Sequence, residues 1–427
     1  MKEPELETGA GRESAVRRFI RTLTPCKAFV ICVFLGISCC ALYYFRQPDK
    51  SFADLFFHSG DDLFMDFFNS VRDAAQHAGV YTDRSVIYPP LANLLFLIFS
   101  GFLPESYNNT PFEDRQQWRN VPAAYLMIFL YSVALLMALY ILLRENTRDH
   151  GRRVILFPLA AVFSIPVIYA VERGNIILLS AILTLAFAVT YESENRVLRE
   201  LGLICLAAAF GLKLYPALFG WVLIADKRYR EAGRCVGYGV LLLLIPSFFF
   251  GGPVCLWRMV QNVLRFSNVG SVTHTSNFTT YTAWLLGVSP KLLSAVFHIW
   301  CGVTAIAFLA SPFLFCGERR WKYFLTGAAL ILTVPSLTSP YSVVFLLIPL
   351  LLLTYEKKPT SRWDPVCVAF LILPFVPIPN IGKNSTVTIT AYLATGFLSV
   401  LLVAEAVVLF IRKMRNGRGN AAVGEES

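Results

Sequence analysis

Long apolar stretches alternate with short polar ones along almost the whole chain. A helix that crosses a bilayer needs about 20 consecutive apolar residues. A large soluble helical core would instead show polar faces at the helical period, and these stretches lack them. The pattern therefore predicts an all-α, polytopic integral membrane protein. The stretches nearly or wholly free of charge are residues 28–45, 123–143, 154–171, 176–191, 292–315, 366–378 and 387–411.

The composition agrees with this prediction. Of the 427 residues, 56% are apolar and 15% are charged, whereas an ordinary soluble domain carries about 25% charged residues. The ten cysteines include no C-x-x-C pair, and the five histidines show no ligand spacing. We therefore expect no metal, no cofactor and no disulfide framework.

The net charge of +10 is spread over short stretches between the apolar blocks. Basic residues in such positions mark the cytoplasmic loops of membrane proteins. The charge therefore predicts topology, with the lipid bilayer as partner, and gives no reason to expect nucleic acid. The basic stretches are residues 17–27, 227–234, 319–322, 357–362 and 412–418.

The charge pattern also divides the chain. Residues 1–27 are predicted to be a basic cytoplasmic tail, 28–411 a single multi-spanning membrane domain, and 412–427 a second cytoplasmic tail. The first apolar block lacks a convincing small-residue cleavage site and is interpreted as an uncleaved signal anchor. The acidic segment 46–87 would then be an extracytoplasmic loop.

Two short apolar runs decide the number of crossings. If residues 91–103 cross, the basic loop 144–153 falls outside; if they lie along or dip into the outer surface, it falls inside. The run 201–225 is interrupted at Lys213-Leu214-Tyr215-Pro216, and a lysine at the membrane centre costs roughly 3 kcal/mol. Two short helices that meet at the outer face avoid this cost. This arrangement predicts about twelve crossings, with both termini inside.

The outer loop contains a candidate catalytic motif. Asp62 and Asp66 are four residues apart and would share one face of a helix. Phe64, Phe67 and Phe68 would rest that helix on the membrane surface. The aspartates either face water on an amphipathic helix or hold a carboxylate at the lipid interface as a general base.

Three further motifs are expected at the same face. Tyr88 precedes Pro89 and Pro90, and the two prolines favour the start of a helix. Arg173 lies in a tight connection, where it either pairs with its acidic neighbour or binds an anion such as phosphate. Lys213 either snorkels from a helix end or serves a functional site inside the membrane region.

The order of these motifs resembles the polyprenyl-phosphate-mannose-dependent mannosyltransferases of glycosyltransferase family 87, in the GT-C superfamily. The resemblance extends over residues 28–410. It rests on Asp66-Phe67, Tyr88-Pro89-Pro90, Arg173-Gly174-Asn175, Lys213-x-Tyr215-Pro216 and a late Ser339-Pro340.

The resemblance implies a GT-C-type bundle and an inverting transfer of a hexose, mannose in the family, at the extracytoplasmic face of the cell membrane. The donor would be a polyprenyl-phosphate sugar and the acceptor a glycan or glycolipid hydroxyl. Asp66 would be the catalytic base, with Asp62 as its neighbour or the alternative base. The donor-binding residues would be Tyr88, Pro89, Pro90, Arg173, Asn175, Lys213 and Tyr215.

The main alternative is a multi-spanning transporter or flippase of a lipid-linked or anionic substrate. It would share the helices and the charges within the membrane region. Transporters usually contain repeated halves with a site at the midplane, and no internal repeat is visible here. A membrane O-acyltransferase is a weaker alternative, because it would need a partner for His298.

Overall fold

The computed structural model describes residues 23–47, 63–108, 121–149, 151–268, 287, 290–315, 320–333, 339–356, 363–378 and 386–424. These residues form α-helices and short 3₁₀ helices and contain no strand, so the all-α prediction is confirmed for them. The α-helices are α1 (Pro25–Phe45), α2 (Met65–Ala74), α3 (Pro90–Ser100), α4 (Glu105–Asn108), α5 (Pro122–Asn146), α6 (Arg153–Val162), α7 (Ile165–Arg173), α8 (Ile177–Thr190), α9 (Arg196–Leu212), α10 (Trp221–Ala225), α11 (Tyr229–Ser247), α12 (Val254–Asn268), α13 (Pro290–Leu314), α14 (Arg320–Thr333), α15 (Leu347–Leu353), α16 (Asp364–Ile372) and α17 (Thr386–Gly424). The 3₁₀ helices are His77–Tyr81, Tyr215–Gly220, Phe248–Phe250, Pro340–Leu346 and Leu373–Phe375.

Four helical segments among the described residues are long and apolar enough to cross a membrane. They are Pro25–Phe45, Pro122–Asn146, Tyr229–Phe250 and Ala391–Arg415. The first has 21 residues, or about 32 Å of helix, which matches the roughly 30 Å hydrocarbon core. The protein is therefore an integral membrane protein.

A fifth crossing is made by α6 and α7 if they count as one span, since they meet at a 45° bend. The sequence suggested one uninterrupted block there. The bend follows from Pro166, which lies in the first turn of α7 and cannot donate a backbone hydrogen bond to the preceding turn.

The prediction of about twelve crossings is not confirmed. Several apolar blocks fold as helices of 10–17 residues, too short by themselves for the same test. One of them is α3, with 11 residues. Its length of about 16 Å cannot cross a 30 Å core, which agrees with a segment 91–103 that does not cross.

The expected interruption in residues 201–225 is present. Helix α9 ends at Leu212, and Lys213 takes an extended backbone conformation with φ −145° and ψ 134°. A 3₁₀ helix then begins at Tyr215, with Pro216 in its first turn. Since proline cannot continue the hydrogen-bond ladder of α9, the chain breaks at this motif.

Contacts between charged loops gather at one end of the bundle. The backbone amide of Arg148 donates to Thr354 Oγ1 at 3.3 Å, Arg320 pairs with Glu192, and Arg228 donates to the carbonyl oxygen of Tyr191 at 3.1 Å. We call this set of loops the basic end. The charge pattern predicted these loops on one side. The contacts join the loop after α5 to the end of α15, and the loop after α8 to the starts of α11 and α14.

Lys322 was predicted from the sequence to be one of the basic loop residues, and this prediction is wrong. It is fully buried. Its Nζ lies 2.5 and 2.6 Å from the carboxylate oxygens of Glu405 and 2.6 Å from Asp364 Oδ1. A buried ammonium group is tolerated only with close anionic partners, and here they come from two other helices. The ion pairs therefore join α14 to α16 and α17.

Candidate active site

Asp66 is positioned by the first turn of α2. Phe64, just before the helix, has a left-handed backbone with φ 58°. Its amide donates to the carbonyl oxygen of Glu172 at 2.7 Å, which ties the start of α2 to the end of α7. Asp66 therefore faces the connection between α7 and α8.

The phenylalanines of α2 do not rest on the membrane surface as expected. Phe67 and Phe68 are fully buried in a cluster that includes Phe96 and Ile128. They pin α2 to α3 and α5, so the opposite face of α2 keeps a fixed position. A rigid support of this kind is what a catalytic side chain requires.

The carboxylate of Asp66 binds two donors from residues more than a hundred positions away. Arg173 Nη2 lies 2.5 Å from Oδ1, and Asn175 Nδ2 lies 2.7 Å from Oδ2. The side chains of Asp66 and Arg173 are 17% and 19% exposed. The first alternative, aspartates that merely face water, does not describe Asp66.

Gly174 allows this arrangement. Its φ is 62°, in the left-handed region, which glycine adopts without steric cost. A Cβ at this position would lie 2.6 Å from the Cβ of Phe67. The tight turn and the close approach both require glycine between Arg173 and Asn175.

Hydrogen bonds at both the oxygen and the nitrogen of its side-chain amide fix the orientation of Asn175. Its Oδ1 accepts from the backbone amide of Ile177 at 3.0 Å, at the start of α8, while Nδ2 donates to Asp66. The side chain is buried, at 2% exposure. With its oxygen held by the backbone, the amide can only present its NH₂ group to the carboxylate.

Tyr88 connects this cluster to Lys213. Its hydroxyl lies 3.4 Å from Asn175 Nδ2, and its ring centroid lies 4.2 Å from Lys213 Nζ, a cation–π contact. Lys213 and Asp66 also interact electrostatically. Asp66, Arg173 and Lys213, predicted to gather at one face, thus belong to one cluster.

Pro89 and Pro90 act through the backbone. Pro90 opens α3, and the carbonyl oxygen of Pro89 accepts from the amides of Ala92 and Asn93. This geometry supports helix initiation, one of the two interpretations of the motif. The prolines place Tyr88 immediately before α3.

Tyr215 follows Lys213 by two residues, at the start of the 3₁₀ helix Tyr215–Gly220. Its ring packs edge-on against Phe345 with centroids 5.5 Å apart. It connects the break after α9 to the 3₁₀ helix Pro340–Leu346. No described contact joins Tyr215 directly to the Asp66 carboxylate.

Two aromatic residues near the site were not proposed from the sequence. Tyr169 and Tyr341 stack with centroids 5.7 Å apart and planes at 28°, and both interact electrostatically with Asp66. Tyr169 precedes Arg173 by one helical turn and so shares its face of α7. This four-residue spacing could have identified Tyr169 as a site residue from the sequence. Tyr341 adjoins the Ser339-Pro340 pair that the sequence did single out.

Asp62 lies outside the described residues. The proposal that it assists or replaces Asp66 stays a prediction. Among the described residues, Asp66 is the acidic side chain bonded to both Arg173 and Asn175.

The site is at the opposite end of the bundle from the basic end. Helix α9 passes between the two, with Arg199 near its start paired to Glu231 and Lys213 at its C-terminus. Arg199 and Lys213 are 14 residues apart in sequence, which corresponds to about 20 Å of helix. The described polar motifs therefore share one end of the bundle, and the described basic loops share the other.

Comparison with known proteins gives one match. The model of glycosyltransferase family 87 matches residues 87–297. The chain belongs to glycosyltransferase family 87. No curated protein and no solved structure matches it.

Family membership makes the protein a membrane glycosyltransferase. Tyr88, Arg173, Asn175 and Lys213 all lie inside the matched range, whereas Asp66 precedes it. In this family 87 protein the two side chains that bind the Asp66 carboxylate come from the matched range. Asp66, which precedes the matched range, and residues within that range therefore form one cluster.

Proposed function

We propose that the protein transfers a hexose, with mannose as the first candidate, from a polyprenyl-phosphate donor to an acceptor hydroxyl. The acceptor is a glycan or glycolipid, and the reaction takes place at the extracytoplasmic face of the cell membrane. The observation that carries this proposal is the Asp66 carboxylate held between Arg173 and Asn175, with Lys213 beside it.

The orientation follows from charge. The basic end faces the cytoplasm, because lysine and arginine are enriched in cytoplasmic loops. In this proposed orientation Lys213, at the end of α9 away from the basic end, lies on the outer side, and the site opens away from the cytoplasm. Both termini lie inside in this orientation.

Asp66 acts as the general base. The acceptor oxygen attacks the anomeric carbon of the sugar, and its proton passes to Asp66. The bond between the anomeric carbon and the phosphate oxygen breaks, and polyprenyl phosphate leaves with the bonding electrons. Attack opposite the leaving group inverts the anomeric configuration.

Arg173 and Lys213 bind the phosphate. A guanidinium group pairs well with phosphate oxygens and a lysine serves as a compact cation. Negative charge develops on the leaving phosphate, where fixed cations in a site shielded from water stabilise the transition state.

Arg173 has two anionic partners in this scheme. Without donor it binds Asp66 Oδ1. The donor phosphate competes for the same guanidinium and releases that oxygen, while Asn175 keeps the other oxygen of the carboxylate in place. The base thus becomes available to an acceptor after the donor has bound.

The test is consumption of defined donors by the purified protein. The protein in lipid nanodiscs is incubated with polyprenyl-phosphate mannose, polyprenyl-phosphate glucose or a sugar nucleotide, together with a glycolipid acceptor mixture. We expect loss of a polyprenyl-phosphate hexose and release of polyprenyl phosphate. Consumption of the sugar nucleotide alone, or of no donor, would refute the proposal.

A further inference from the structure

A buried asparagine on α12 supports the segment that carries Tyr88. Asn262 is 5% exposed. Its Nδ2 donates to the carbonyl oxygens of Tyr81 and Val86, at 3.0 and 3.1 Å. The NH₂ group of asparagine has two protons, so both are used to hold this segment at two points.

The same segment is held from its other side by Asn93. Asn93 is fully buried, and its Nδ2 donates to the Tyr81 hydroxyl at 2.8 Å and to the Tyr88 carbonyl oxygen at 3.3 Å. The Tyr81 hydroxyl in turn donates to that carbonyl oxygen at 2.8 Å. Burial raises the pKa of Tyr81 above its ordinary value, so its hydroxyl keeps the proton that it donates.

These bonds form a continuous path from α12 to the site. We infer that Asn262 is a positioning residue that fixes residues 81–88 so that the Tyr88 ring stays against Lys213. The inference rests on the proposed function, because it assigns Tyr88 and Lys213 to the donor site. Tyr88 also meets Asn175, which binds Asp66.

Asn262 fits this role better than that of a general stabiliser. Residues 82–89, between the 3₁₀ helix and α3, form no regular element. Their backbone amides bond locally, to Gly79 and Val80, whereas Asn262 ties the segment to a distant helix. Removal of the Asn262 amide would leave two carbonyl oxygens without the donor that now serves them, a penalty localised in this segment.

Helix α12 is suited to serve as a support. Trp257, Arg258 and Leu264 are exposed on one face, while Cys255 and Met259 pack with Tyr81 on the other. Asn262 lies on the inner face, buried like Cys255 and Met259, and thereby joins α12 to the site.

The test uses Asn262→Leu and Asn262→Asp, with Gln261→Leu as the matched control. Both Asn262 variants remove the NH₂ group, and aspartate keeps the shape of the side chain. Gln261 is its half-buried neighbour on α12, and its side chain makes no hydrogen bond within the described part of the chain. The variants are made in the full chain in nanodiscs.

Hydrogen exchange tests whether Asn262 holds residues 81–88 in place, and it does not require an active enzyme. In both Asn262 variants we expect amides of residues 79–88 to exchange about tenfold faster, while α2 and α8 keep wild-type rates. The control should match wild type throughout. Unchanged exchange in residues 79–88, or an equal rise across the whole chain, would overturn the inference.

Steady-state kinetics measure the effect on the donor site. We expect the KM for the donor to rise about tenfold and kcat to change less than about threefold. Faster exchange with an unchanged KM would overturn the positioning role. If the wild-type protein consumes no donor, the proposed function fails, and the exchange result still decides whether Asn262 holds residues 81–88.

Discussion

Replacing Asp66 with asparagine separates catalysis from folding at this site. Asparagine keeps the shape of the side chain but has one acceptor oxygen in place of two. A general base contributes a factor of about 10²–10⁴ to the rate, or roughly 3–5 kcal/mol of barrier. We expect transfer by Asp66→Asn to fall by at least a hundredfold.

The expected cost in stability is much smaller. Arg173 and Asn175 each donate to a separate oxygen of Asp66, so one of the two donors in the variant faces an NH₂ group. A hydrogen bond to a charged group contributes about 1.5–3 kcal/mol. The pair is partly exposed, which places the loss at or below about 1.5 kcal/mol.

The assay is the initial rate of donor consumption, with melting temperature measured on the same preparations. Asp83→Asn is the matched control, because Asp83 is an exposed aspartate in the same outer segment and should retain wild-type activity. A rate within about threefold of wild type for a folded Asp66→Asn protein would refute the assignment of the base.

The remaining predictions concern three other positions. Gly174→Ala places a Cβ 2.6 Å from a buried phenylalanine at a residue with φ 62°; we expect a loss of more than about 2 kcal/mol in stability, measured as a lower melting temperature. Lys213→Met removes a cation proposed to bind the donor phosphate and should raise the KM for the donor at least about tenfold, with Lys213→Arg recovering part of the loss. Lys322→Met leaves Asp364 and Glu405 without their shared cation and should cost about 3–5 kcal/mol, measured by thermal denaturation in nanodiscs, with little change in KM for the protein that remains folded.

The sequence predicted that Asp66, Arg173 and Lys213 would lie at one face, but not how they bond. Asp66 and Arg173 are separated by 107 positions, and charge topology was sufficient to bring them to one face. The bonds depend on the turn at Gly174 and on Asn175, whose orientation is fixed by the backbone at the start of α8. Hydrophobic patterns carry no information about such turns.

The helix count and the environment of Lys322 were harder to predict. An apolar block of about 20 residues looks the same whether it stays straight or bends at a proline, as α6 and α7 do at Pro166. A lysine beside an arginine at a loop looks the same whether it faces water or is buried. Lys322 is buried because Asp364 and Glu405, both distant in sequence, reach it.

The family match and the Asp66 contacts constrain each other. The match begins at residue 87, after α2, so membership alone does not include the proposed base. Phe64 binds the carbonyl oxygen of Glu172, and the Asp66 carboxylate binds the two side chains that flank Gly174. A displacement of α2 would therefore break contacts with the α7–α8 connection at three points. Arg173 binds Asp66 and is also the guanidinium proposed for the donor phosphate. The proposed mechanism therefore couples donor binding to release of the proposed base through one side chain. Loss of Arg173 should consequently weaken donor binding and remove the requirement that the donor bind first.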